Sequence, residues 1–427
     1  MEDDKKVKKK SVIFFVSLLF CSFISFNPNF QQLVKLPENH FLISNENIQL
    51  NGIWSKLIKV ERESSNEITP VSSVMSNSLE SEIVEVSYKL FGIFPLKSGE
   101  VVVMNPMKLI PGGQSIGVTL KTKGVMVVGQ APVIDKAGNK LFPAKEAGIE
   151  VGDILLKIDN LEVRTDQEVS NAINLGGEQK GNVHVVYKHK EQIVEKTIKP
   201  VFCLDTERYR MGLFVRDEAA GVGTLSFLDP FTGLYGALGH VITDADTNQK
   251  IEVSNGKVMA STIYGIEKGK RGSPGEKIGS FVTNSTFTGT IEKNTMTGIF
   301  GVMSGPVVNP YYKQAIPVGW ESEVKVGPAK IYTVIQGEKI EEFDVTIDRV
   351  MHNRSDSKNM IVRVTDSRLL EITGGIIQGM SGSPIIQDGK IIGAVTHVFV
   401  NDSQRGYGVF IQNMINESSQ LAKGKVA

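Results

Sequence analysis

Gly379-Met380-Ser381-Gly382-Ser383-Pro384 is the stretch around which the chain is organised. A serine between glycines, in a tight turn, has the setting of an exposed nucleophile. Glycine permits backbone angles that a side chain forbids. It also lets a substrate carbonyl approach the N–H groups of the turn, which can hold a developing oxyanion. The following Ile385 to Val395 reads as a strand, an Asp388-Gly389 hairpin turn and a second strand. The bland alternative is a Gly/Ser-rich turn with no chemistry. A near-copy, Gly301-Val302-Met303-Ser304-Gly305-Pro306, makes Ser304 a competitor. The fuller motif and the hairpin behind it favour Ser381, because Asn309-Pro310 cuts short the strand after Ser304.

The chain has 427 residues, enough for two or three domains, with 41% hydrophobic and 22% charged residues. Its 47 basic and 47 acidic side chains give no global field to attract nucleic acid. The two cysteines, Cys21 and Cys203, lie in such different contexts that a disulfide and a Cys-rich zinc site are both unexpected. Five lysines among residues 5–10 precede an apolar run from Val12 to Phe26. This reads as an N-terminal signal or membrane anchor over residues 1–30, uncleaved in preference to cleaved, with the remaining chain exported.

Residues 31–100 read as a stalk followed by strands. The segment Gln31 to Glu82, rich in Ser, Asn and Glu, is the mobile part. Residues 101–200 resemble a PDZ domain. Ser115-Ile116-Gly117-Val118 looks like its peptide-binding loop, and Ala147 to Asp159 like its short helix, turn and buried strand. Thr165-Asp166 can cap the next helix, with Val169, Ala172, Ile173 and Leu175 on one face. In PDZ domains an extended peptide adds a strand beside such a helix. From residue 201 to 427 short strands and glycine turns recur, which points to a sandwich or to two small six-stranded barrels. The nucleophile turn and its hairpin look like the second barrel of a chymotrypsin-like protease. The fold class expected is therefore mainly β: a double-barrel protease domain preceded by a small α+β PDZ domain and an N-terminal anchor.

A serine hydroxyl needs a base. Of six histidines, His240 in Leu238-Gly239-His240-Val241-Ile242 best fits, with a small residue before it and an apolar run after. His397, after the hairpin, is expected to line the cleft or to pack on a strand. The third member of a triad is a carboxylate. Asp366 gives the order His, Asp, Ser, while Asp244 and Asp246 are nearer His240 in sequence.

The combination resembles the SpoIVB peptidases of endospore-forming bacteria. The resemblance is carried by the N-terminal anchor, Tyr88 to Ile93, Ile110 to Gly117, Gly239-His240 and Gly374 to Pro384. It implies His240, Asp366 and Ser381 as the catalytic set, with the Gly379 and Ser381 N–H groups as oxyanion donors. No metal or organic cofactor is implied. It further implies an exported serine endopeptidase that cuts itself near its N-terminus. It then cuts a regulator of an intramembrane protease in the mother-cell membrane, within the space around the forespore, and this leads to sigma factor activation. Ser383 departs from ordinary trypsin-like enzymes, which have glycine there. The rival readings are a non-catalytic PDZ receptor on a degenerate protease fold, and an HtrA-like quality-control protease.

Overall fold

The computed structural model describes residues 39–43, 57–63, 81–104, 107–352, 354 and 356–424. The residues 1–30 read as an anchor lie outside the described residues. No helix among the described residues is long and apolar enough to cross a membrane. The chain divides into two units at Pro106/Met107.

The first unit holds a four-stranded sheet. Its strand Asn39–Ile43 pairs in parallel with Phe94–Met104, which pairs antiparallel with Ser81–Leu90 and through it with Ile58–Glu63. Two pieces of the expected stalk are therefore strands. Ile58-Lys59-Val60-Glu61 alternates apolar and polar, the period of a sheet with one covered face.

The second unit is built on two 16-residue strands, Ser115–Gln130 and Leu213–Leu228. They pair antiparallel from Leu213↔Gln130 to Thr224↔Ser115, with irregularities near Phe214 and Arg216. At one end they close a six-stranded barrel. Ser115–Gln130 pairs with Val253–Glu267, then come Thr288–Thr290, Gly298–Ser304 and Leu234–Ala237, and Leu213–Leu228 completes the circuit. Ile116, Val118, Leu120, Leu225, Tyr235 and Ile299 fill this barrel. At the other end the same two strands join a sheet with Ile154–Ile158, Val183–His189 and Gln192–Ile198.

That second sheet carries the PDZ helix, Asp166–Lys180. Thr165 caps it by accepting the Glu168 N–H, the Glu168 carboxylate accepts the Thr165 N–H in return, and Gly181 ends it in the left-handed region. Val169, Ile173, Gly176 and Gly177 are buried, and the Tyr209 ring lies where a Gly177 side chain would start. Leu175, expected on the covered face, is exposed.

The PDZ domain therefore does not precede the protease as a separate module over 101–200. It is inserted between the first two strands of the first barrel, and residues 115–122 belong to the protease. The expected peptide loop Ser115, Ile116, Gly117 and Val118 is corrected by the same observation. All four are buried, Ser115 is paired with Leu213–Leu228, and Ile116, Gly117 and Val118 are paired on both sides, with Leu213–Leu228 and Val253–Glu267, so Ile116 to Val118 offer no free edge to a peptide. Alternating apolar residues at 116, 118 and 120 mark a covered strand but not which core covers it.

The second barrel is closed by Gly327–Val334, Ile340–Val350, Met360–Val364, Asp402–Phe410, Lys390–Phe399 and Pro384–Gln387. Ile331, Phe343, Met360, Val362, Ile385 and Phe410 form its core. The Asp388-Gly389 hairpin is present, with both residues at positive φ, 51° and 75°. A C-terminal helix, Ile411–Gly424, follows the last strand.

Ile116 has no exposure in the first barrel. Ile116→Ala is expected to cost ~2–5 kcal/mol in denaturant unfolding, as large-to-small core changes do. A surface-loop position would lose no more than ~0.5 kcal/mol, and that result would return the segment to a binding loop.

Candidate active site

The two barrels meet at a cleft of about 670 Å³ whose walls include Leu238, His240, Asp244, Gly379, Ser381 and His397. Ser381 and His240 are thus brought together from positions far apart in sequence. Ser304 is not among the cleft residues; it lies exposed at the end of strand Gly298–Ser304, opposite Thr288.

His240 follows a sharp exit from the strand Leu234–Ala237. Leu238 and Gly239 both take left-handed φ, 67° and 69°. Leu238 is a non-glycine residue there, a conformation that costs energy and persists only when its surroundings impose it. The segment after His240 is held by Asn294. Its buried amide accepts the Ile242 N–H and donates to the Ile242 and Ile251 carbonyls. The His240 Nδ1 is 2.7 Å from the Val241 carbonyl oxygen. A carbonyl can only accept, so Nδ1 carries the proton and Nε2 carries the lone pair. This is the tautomer a general base needs. Burial lowers the proton affinity of His240 below its usual value, only partly opposed by the bond to Val241.

The expected orienting carboxylate is not beside that imidazole. Asp366 is the N-cap of the helix Ser367–Thr373, where it accepts the Leu369 N–H at 2.9 Å. It is not among the residues lining the cleft. A short polar residue just before a helix is claimed by the helix's unpaired N–H groups. Asp244 lines the cleft but is fully engaged. It bonds Arg216 at 2.7 Å and accepts the N–H groups of Asp246 and Thr247. Burial acts to raise its proton affinity, but these bonds outweigh it and the net shift is downward. Asp246 pairs with the same arginine. The group that holds the His240 ring at Nδ1 is the Val241 carbonyl.

His397 lines the cleft, its ring centroid 4.8 Å from that of His240. Its proton affinity is lowered, first by burial of the ring against the cleft wall and second by His240.

Ser381 sits in a turn with Gly379 at φ 87° and Gly382 at φ 96°. A Gly382 side chain would start 2.0 Å from the Thr224 carbonyl oxygen, so the turn is pressed against the first barrel. The hydroxyl of Ser381 donates to the Thr396 carbonyl at 2.5 Å. The peptide N–H groups of Gly379 and Ser381 have no protein partner among the described residues. Both are aimed from behind. In a trans peptide the C=O and N–H point in opposite directions. The Gln378 carbonyl, which shares a peptide with the Gly379 N–H, accepts the Lys277 N–H at 3.0 Å. The Met380 carbonyl, which shares a peptide with the Ser381 N–H, accepts both the N–H and the hydroxyl of Ser383, at 2.9 and 2.6 Å. Ser383, noted in the sequence only as a departure from glycine, thus fixes one of the two donors. Thr224, Lys277, Asn294 and Thr396 also support the site and carry no local sequence signal.

The open edge beside the PDZ helix lies elsewhere than at Ser115–Val118. The outer edge of Leu213 to Val215 is unpaired among the described residues and faces a cavity shared with Val169 and Ile173 of the capped helix. Gly212, at φ 77°, precedes it, and Phe214 is exposed. A glycine between apolar residues ahead of a strand, Met211-Gly212-Leu213, is the signal that was available.

Two barrels with a serine, a correctly protonated imidazole and a pair of free N–H groups at their junction, together with an inserted PDZ domain, define a PDZ-containing serine endopeptidase. Residues 207–415 match the family model of the SpoIVB peptidase S55, and residues 137–181 match that of the PDZ domain. The protease region of this chain belongs to the SpoIVB peptidase family. The match starts at 207 and so omits the barrel strand at 115–122. Among solved structures, the PDZ domain of the SdrC-like protein from Listeria monocytogenes is 23% identical, covers 22% of this chain and 87% of its own, with a TM-score of 0.17. The active form of the Rv3671c protease from M. tuberculosis is 14% identical, with coverages of 48% and 74% and a TM-score of 0.26. Human heparin binding protein is 11% identical, with coverages of 45% and 82% and a TM-score of 0.26. No curated protein matches the chain.

Two outcomes follow from this geometry. Asparagine caps helices about as well as aspartate, so Asp366→Asn is expected to keep both its fold and its turnover within about tenfold of wild type. A loss near 10⁴-fold, the size seen when a triad carboxylate is removed, would show that Asp366 reaches His240 during catalysis. A His240 base would work as neutral imidazole, and its lowered proton affinity is expected to move the acid limb of kcat/KM below the ordinary histidine value of about 6.5. A pH–rate profile with its midpoint at or above that value would contradict a buried His240 base.

Proposed function

We propose that Ser381 is the nucleophile and His240 the general base of an acyl-enzyme endopeptidase. The observation that carries this is the meeting of Ser381, the His240 ring and the free Gly379 and Ser381 N–H groups in one cleft. The Ser381 hydroxyl leaves the Thr396 carbonyl and gives its proton to His240 Nε2 as Oγ attacks the peptide carbonyl. The oxygen of the tetrahedral intermediate sits on the Gly379 and Ser381 N–H groups. The imidazolium then protonates the leaving amine. Water, deprotonated by His240, attacks the ester, and the imidazolium returns that proton to Ser381 Oγ as the acid leaves. The Val241 carbonyl stabilises the imidazolium as its N–H acceptor throughout.

In the fuller reading, the enzyme is exported, held to the membrane by residues 1–30, and acts in the intermembrane space around the forespore. Its substrates are its own N-terminal segment and a regulator of an intramembrane protease in the mother-cell membrane. The cut in that regulator is the step toward sigma factor activation. Support comes from the family of the protease region and from the lysine-rich, apolar N-terminus. The open edge at Leu213 to Val215 is where a peptide from either substrate adds as a strand.

The test is processing of the full chain. Wild type is expected to be cut between Phe26 and Glu82, read by N-terminal sequencing, while purified Ser381→Ala stays full length and Ser304→Ala is still cut. Processing that persists in purified Ser381→Ala would end the assignment of the nucleophile.

A further inference from the structure

Lys277 lies in the strand Glu276–Phe281 and is 5% exposed, with no carboxylate partner among the described residues. A buried amine without a counter-ion is costly, and its proton affinity falls to about 7 for that reason. Its surroundings give it a task. The stem packs against Gly379, where a side chain would start 3.1 Å from its Cβ and Cδ. Nζ donates to the Thr333 hydroxyl of the second barrel at 2.7 Å and to the Thr224 hydroxyl of the first barrel at 3.4 Å. Thr224 in turn donates that hydroxyl to the Gly379 carbonyl at 2.7 Å, and its own N–H to the Ser381 carbonyl at 3.0 Å.

A hydroxyl has one proton to give and two lone pairs to receive. With Nζ donating to Thr224, the one proton of Thr224 is committed to Gly379. The amine therefore selects the rotor state of Thr224 that holds the nucleophile turn. It does so while anchored on the opposite barrel through Thr333.

We propose that Lys277 is a positioning residue for the proteolytic reaction: its amine, through Thr224, anchors the Gly379–Ser381 turn against the first barrel, so that the two oxyanion donors, aimed by the Gln378 and Met380 carbonyls behind them, stay in place for the scissile carbonyl. This rests on the reading of Ser381 as nucleophile. Lys277 touches neither substrate nor Ser381 and takes no proton in the reaction. A purely structural lysine and a positioning lysine make opposite forecasts. Replacing an unpaired buried amine by methionine of similar length removes the burial cost. Stability is then expected to hold or rise, while the oxyanion turn loosens.

Peptide turnover, fluorophosphonate labelling and thermal unfolding of the full chain test this. Lys277→Met is expected to unfold at or above the wild-type temperature. Its kcat and labelling rate should fall by about tenfold or more, with KM within about twofold; losing one oxyanion donor outright costs about 10²–10³. Thr224→Val should show the same kcat loss, and the double variant should lose little beyond either single one, because both act through one bond. Thr333→Val, which removes the shortest anchor of Lys277 without touching the turn, should lower kcat about threefold or more and guards against misfolding of Lys277→Met. The inference is overturned if folded Lys277→Met keeps kcat within twofold, or if its loss multiplies with that of Thr224→Val. Wild-type kcat in Thr333→Val, with Lys277→Met unfolded, also overturns it. Ser381→Ala separates the two claims: a turning-over Ser381→Ala defeats the nucleophile, whereas a dead Ser381→Ala beside a fully active Lys277→Met defeats only the role of Lys277.

Discussion

The structure depends on the grip of Thr224 on the nucleophile turn. Thr224 belongs to a first-barrel strand, yet its N–H and hydroxyl are given to the Ser381 and Gly379 carbonyls of the second barrel. Its own carbonyl oxygen takes the Leu238 N–H, at the start of the exit that delivers His240. One residue thus ties the Ser381 turn, its free N–H groups and the exit that carries His240 to a common point. Gly382 leaves no room at this contact for anything larger than hydrogen, because a side chain there would meet Thr224 and Leu238 backbone. The positive φ of Gly382 matters less than this approach. A seam between barrels is where such precision is hardest to keep, and hydrogen bonds to backbone keep it better than apolar contact, which has no direction.

The strand that carries Thr224 also runs into the PDZ domain. Leu213 to Val215 at its start borders the open groove, and Thr224 lies nine positions beyond Val215 on the same strand. Of the two irregularities in this pairing, the one at Phe214/Val215 lies within the groove segment and the one at Arg216/Glu218 lies between it and Thr224. A peptide added at the groove would pair with the segment that is continuous with the catalytic seam. The insertion of the domain, as opposed to its placement before the protease, is what makes this continuity available.

About half of the site was legible in the chain. The hexapeptide around Ser381, the Asp388-Gly389 hairpin and the Gly239-His240 pair are local signals, because a turn's angles select its own residues. The capping box at Thr165 and Glu168 is legible for the same reason. Asp366 shows the opposite case. A polar residue between a strand and a helix fits both a triad member and an N-cap, and only its partners distinguish them. Lys277 and Asn294 carry no signal, since a lysine or asparagine in a strand is ordinarily a solvated one.

The sequence by itself determined the kinds of element and the candidate chemistry: a mainly β chain, a serine turn, a histidine proposed as its base and a PDZ-like helix. These follow from short-range periodicity and turn chemistry, which near neighbours impose. Only the tertiary structure decided which core covers each strand. Residues 116–118 alternate as any half-buried strand does, and the barrel claimed them because both of their edges found partners there. The same holds for the base. The partner of His240 Nδ1 is a backbone carbonyl, a group every residue carries, so no choice of side chain could have announced it.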